Sequence, residues 1–131
     1  QSRFETMKAS LMKKAGGHVR IEIYLFEKEF EMAYREVADS KYMYSETLMN
    51  QVATAVAGIH DDWSLAIYAK IVKRFIEQGQ RETYAIAARY AKKIKALYLK
   101  AGRNEEWESY SERLREENKR RPALLDEFKS L

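Results

Sequence analysis

Apolar residues recur along nearly the whole chain at intervals of three and four, the spacing of one face of an α-helix. Phe4, Met7, Leu11 and Ala15 predict a first short helix, closed by a left-handed glycine at Gly16 or Gly17 in "AGGH". Val19, Ile23, Phe26, Phe30, Ala33 and Val37 continue the rhythm and predict one helix of about five turns. Ile21, Leu25 and Met32 widen its apolar side, as expected of a helix covered on more than one face. After the connection "DSKYMYS", Ser45 is a candidate N-cap for a third helix holding Leu48, Val52, Ala55 and Ile59, closed at Gly58 and His60.

Asp61 and Asp62 offer capping oxygens to a fourth helix, with Leu65, Tyr68, Val72, Phe75 and Ile76 inside and Gly79 as its stop. A fifth carries Tyr84, Ala87, Ala91, Ile94, Tyr98 and Ala101, and ends at Gly102. Asn104 is expected to cap a sixth with Trp107, Tyr110 and Leu114 inward. Pro122 suits the first turn of a last short helix with Leu124, Leu125 and Phe128. The pattern therefore predicts an all-α fold of about seven helices. Short connections make successive helices antiparallel hairpins.

The fifth helix is rich in small residues. Ala85, Ala87, Ala88 and Ala91 let a neighbouring backbone come close, and Trp63, Tyr68 and Trp107 are large enough to fill the space beside them. Small-against-large pairing of hairpins is the packing logic of tetratricopeptide-like arrays, although the repeat consensus is not met and Trp63 and Trp107 lie 44 residues apart.

Composition narrows the class further. The 131 residues are 46% hydrophobic and 34% charged, with one proline and five glycines, which fits a helical globular chain. The single unit 1–131 is expected to fold as one domain, and the lack of an initiator Met suggests a piece of a longer protein. Cysteine is absent. That removes disulfides, thiolate catalysis and Cys-based zinc sites, and it fits a reducing, cytoplasmic setting. No apolar run approaches the roughly 20 residues of a membrane span.

Charge is unevenly spread. Residues 1–65 hold 8 Lys/Arg against 10 Asp/Glu, whereas residues 66–131 hold 16 against 10. From Arg89 to Arg103 there are six basic residues and no acid; from Glu105 to Glu117 acids dominate. Arg89, Lys92, Lys93, Lys95, Lys100 and Arg103 fall off the apolar stripe of the fifth helix. With Lys119, Arg120 and Arg121 they form a candidate anion- or partner-binding face, and Tyr90 and Tyr98 are candidate stacking surfaces. The competing expectation is that Glu105, Glu108 and Glu112 on the next helix lie beside these cations and balance them. Tyr42, Met43 and Tyr44, outside any clean stripe, form a candidate exposed apolar contact.

No catalytic or cofactor motif emerges. There is no Gly-x-Ser-x-Gly elbow, no phosphate-binding glycine loop and no Glu-x-x-His helix motif, and Asp61 and Asp62 beside His60 read as helix-start residues. His18 and His60 are the only histidines and are far apart in sequence, so no metal and no cofactor is expected.

The Leu65…Tyr68 helix, "ETYAIAARYAKKIKALY", "KAGRNEEWESY" and "LREENKRRPALLDEF" together resemble the C-terminal helical region of bacterial SWIM-type zinc-finger proteins. The resemblance covers about half the chain well. In that family the finger lies upstream and needs three Cys and one His. This chain has no Cys, so no zinc ligand carries over, and the resemblance implies a helical accessory region. The expected function is a non-catalytic protein-interaction or scaffolding module with an unidentified protein partner and no membrane. The alternative is an accessory nucleic-acid-binding domain using residues 89–103.

Overall fold

The computed structural model describes residues 7–10, 16–41 and 43–131. Among these the fold is all-α. Residues 7–10 are helical. The helices that follow are α1 (Gly17–Phe26), α2 (Phe30–Asp39), α3 (Glu46–Val56), α4 (Asp61–Gln78), α5 (Arg81–Lys100), α6 (Asn104–Glu117) and α7 (Pro122–Glu127), with a terminal 3₁₀ turn at Phe128–Ser130. By its contacts the chain divides into two compact units, residues 1–64 and 65–131, and α4 runs through the boundary.

In the first unit α1 packs on α2, and α2 on α3. Its buried side chains are Ile21, Ala33, Val37, Leu48, Met49, Val52, Ala53 and Val56. Ser64 is also buried, and its hydroxyl donates to the Ala53 carbonyl at 2.6 Å, so no polar group is stranded there. Ser45 caps α3 as expected, accepting from the Leu48 N–H at 3.2 Å. Ile59, expected inward, is 54% exposed, because α3 ends at Val56 before the apolar spacing does.

The predicted five-turn helix from Val19 to Val37 is broken. α1 ends at Phe26, and Lys28 takes the left-handed conformation at φ +60°. The Lys28 N–H donates to the Leu25 carbonyl and the Glu29 N–H to that of Tyr24, the two bonds of a Schellman ending. Glycine usually occupies that position, so the sequence carried no stop signal there. Lys8 Nζ ties the corner, lying 2.7 Å from Glu29 and 3.5 Å from Glu27. These partners, Glu29 first, raise the Lys8 pKa. "AGGH" is also reassigned. Gly16 is extended and precedes α1, and Gly17 is its first residue, so neither is a left-handed stop. The Phe4, Leu11 and Ala15 positions of the first predicted helix lie outside the described residues.

In the second unit α5 packs on α6 and on α7. Ala87, Ala88 and Ala91 are buried with Tyr84, Tyr90 and Ile94, as the alanine spacing predicted. Thr83 brackets the helix start, its hydroxyl meeting both the N–H and the carbonyl of Gln80. The helix leaves at Gly102 (φ +72°), where the Gly102 N–H reaches Leu99 and the Arg103 N–H reaches Tyr98, a second Schellman ending. Arg103 rather than Asn104 occupies the N-cap position of α6, which buries Trp107, Ser111 and Leu114. Pro122 opens α7. Arg81 clamps α7 to the start of α5 by pairing with Asp126 and, at 2.9 Å, Glu127.

Candidate functional site

Two surfaces stand out, one in each unit. In the first, breaking the chain at Lys28 changes which residues of α1 face inward. Ile21 is buried, while Phe26 is 86% and Val19 46% exposed. Both had been expected on the core stripe. With Ile23 and Met7 they line an apolar cleft of about 470 Å³, rimmed by Lys8, Glu22 and Glu27. Sequence spacing missed this surface, because Val19, Ile23, Phe26 and Phe30 look like one uninterrupted stripe until the corner is known.

The contact expected at Tyr42, Met43 and Tyr44 is divided. Met43 is exposed, and Tyr42 lies outside the described residues. Tyr44 is half-buried: its ring lies against the backbone of Gly17, where any β-carbon would collide with the hydroxyl, and the hydroxyl donates to Glu36 at 3.2 Å. Glu36 also accepts from Arg20 at 2.5 Å. Tyr44 is thus built into the α1–α2 packing.

The histidines are placed apart. His18 Nε2 meets Glu22 at 2.9 Å on an exposed surface. His60 stacks on Trp63 at 3.9 Å, and Trp63 stacks in turn on Tyr34 at 4.9 Å. Among the described residues no group of three or more His, Asp or Glu side chains is arranged to hold a metal ion.

In the second unit the nine residues of the candidate basic face separate into distinct roles. Arg103 is held by Glu106 through two hydrogen bonds of 2.8 and 2.6 Å and lies over the Tyr98 ring. Arg121 donates to the Ile76 carbonyl at the end of α4 and to the Tyr84 hydroxyl at 3.0 Å, which makes it a clasp between helices. Lys119 pairs with Glu116 at 3.0 Å, and Arg120 is exposed. Lys95 sits 6.0 Å from the centre of the Trp107 ring.

That leaves Arg89, Lys92, Lys93 and Lys100 on the exposed side of α5. Lys93 is perched over the rings of Tyr68 and Tyr90, at 5.8 and 5.5 Å. The expected balance by α6 does not form: Glu105, Glu108 and Glu112 make no ion pair with these cations. The reason is helical geometry. Taking about 100° per residue, the cations lie on the side of α5 away from Ala87, Ala91 and Ile94. The three acids likewise point away from the line of Trp107, Ser111 and Leu114 on α6. Each helix turns its charges away from the apolar side it buries.

A further cleft of about 390 Å³ in the second unit lies beside α4 and α6 and includes Lys73, Glu77, Arg113 and Glu117 around Tyr110. Burial pushes the Tyr110 phenol well above its ordinary pKa. The cleft carries both signs of charge and a neutral phenol.

Among the described residues no helix is long and apolar enough to cross a membrane. A Bacillus subtilis (strain 168) protein described as the uncharacterized protein YwqB is 30% identical over 105 residues, 80% of this chain and 20% of that protein. The chain thus spans about a fifth of the length of the relative it matches. No family model matches, and no solved structure matches.

Proposed function

We propose that this chain is a non-catalytic interaction and scaffolding module, the helical region of a longer, cytoplasmic SWIM zinc-finger-like protein, packed in tetratricopeptide-like hairpins. The observation that carries the interaction reading is the apolar face of α1. Phe26, Val19 and Met7 are 86%, 46% and 60% exposed around one cleft. A face of this kind costs solubility unless something covers it, and contiguous exposed apolar surface marks contact sites. The match to a fifth of a much longer relative supports the reading as one region among several.

Photo-cross-linking in cells tests it. A photoreactive side chain at Phe26 should yield discrete adducts of defined mass, and the same probe at exposed Ala38 should yield none. The same faint smear from both positions would refute the reading.

A further inference from the structure

We propose that the outer side of α5 docks on the phosphate backbone of double-stranded nucleic acid without reading its bases. This goes beyond the scaffolding role and concerns a different surface, so it stands or falls on its own test.

Arg89, Lys93 and Lys100 fall within an arc of about 40° on α5, with Lys92 about 60° to one side. Small Ala96 lies among them, so the long side chains can converge. Arg89 to Lys100 spans about 16 Å of helix at 1.5 Å per residue, the axial reach of roughly five phosphates of one strand. No acid interrupts this stretch. Arg89, Lys92 and Lys100 are exposed and have no hydrogen-bond or ion-pair partner among the described residues. The acids of α6 are turned outward or, as with Glu106, committed to Arg103, and the one acid on this side of α5, Glu82, lies about two turns before Arg89. Arg89, Lys92 and Lys100 therefore present their charge to solvent, in a unit whose sequence carries 16 basic and 10 acidic residues.

Two observations choose the partner. An acidic protein would need apolar anchors in pockets to bind specifically. The only large exposed hydrophobic residue on described α5 is Leu99, at 42%, and none of the clefts described above is lined by Arg89, Lys92 or Lys100. A phosphate backbone needs no such pocket. Single strands, in turn, are held by exposed aromatic faces. Tyr90 and Trp107 are buried, contrary to the stacking role suggested for Tyr90, and Arg103 lies over the Tyr98 ring. What remains is backbone contact to a duplex.

The test is fluorescence anisotropy of the 131-residue chain with a labelled 20-base-pair DNA duplex across a salt series. Three to four engaged phosphates give a log–log slope of about −2.7 to −3.6, so affinity should fall roughly 40- to 150-fold between about 50 and 200 mM salt. Arg89→Gln/Lys92→Gln/Lys100→Gln should flatten the slope to about −1, a roughly 3- to 4-fold fall over the same range. Its helical circular dichroism should be unchanged. Arg35→Gln/Lys41→Gln/Lys129→Gln removes the same charge from exposed positions elsewhere and should keep the steep slope. Equal losses in the two triple variants would mean that net charge alone attracts DNA, and would overturn the proposal. Tighter binding to poly-glutamate or to a single strand of equal length would overturn it too, in favour of an acidic protein partner or a stacking surface.

Discussion

Replacing Ala91 by leucine probes the packing that holds α5 in place. Ala91 is fully buried beside Ala87, also at zero exposure, and Ile94 at 1%. Leucine adds three carbons where no solvent-exposed space exists to receive them, which forces off-rotamer side chains or a backbone shift. Such overpacking costs about 1–3 kcal/mol. Alanine and leucine are both strong helix formers, so helix propensity contributes little to the difference. Ala96→Leu is the matched control, made on the same helix at an exposed position, and should stay within about 0.5 kcal/mol. Urea unfolding followed by far-ultraviolet circular dichroism reads both. With a slope of about 2 kcal/mol per molar, Ala91→Leu should lower the midpoint by roughly 0.5–1.5 M and Ala96→Leu by a fraction of that. Equal and negligible shifts would show that α5 is not packed through its alanines, and the hairpin reading of this unit would fail.

Two further predictions concern local devices. Lys28→Gly should stabilise the first unit by about 0.5–1 kcal/mol in urea unfolding: a non-glycine left-handed residue costs roughly 1–2 kcal/mol, partly offset by the entropy glycine loses; a loss of stability would mean that α1 and α2 are continuous. Asp126 is held below its ordinary pKa, first by its hydrogen bond to Arg81 and then by Lys129. Because the folded value is the lower one, this carboxylate contributes stability above the ordinary Asp pKa and loses it as pH falls through the depressed value. Arg81→Gln should move the Asp126 titration upward in carboxyl-detected NMR, with Lys129 retaining part of the shift; an unmoved titration would remove the α5–α7 clamp.

Much of the fold was readable because its boundaries rest on residues with few conformational alternatives. Gly58, Gly79 and Gly102 all adopt positive φ where helices were expected to stop, Ser45 caps and Pro122 opens a helix. The corner at Lys28 was hidden because a lysine does what a glycine usually does, and the cost is met by tertiary contacts such as those of Lys8. Val19 and Phe26 were misplaced for the same reason: period alone cannot say where one stripe ends and a second, rotated one begins. The basic side of α5 was visible as a run in the sequence. Its division was not, since Arg121 finds Ile76 across 45 residues and Arg103 is captured by a local glutamate. The outward placement of the α6 acids, by contrast, was contained in the spacing itself, since Glu105, Glu108 and Glu112 fall well off the line of Trp107 and Leu114 at about 100° per residue.

The interaction reading is tested most directly by thiol accessibility in cells. The chain has no cysteine, so Phe26→Cys and Ala38→Cys each create a single reactive thiol at an exposed position. Maleimide labelling rates are compared between the purified chain and the same chain in intact cells, with each site normalised to its purified rate. Occupancy of the α1 face predicts that position 26 reacts several-fold more slowly in cells while position 38 keeps its normalised rate. Equal normalised rates at the two positions would leave the face uncovered and contradict the account.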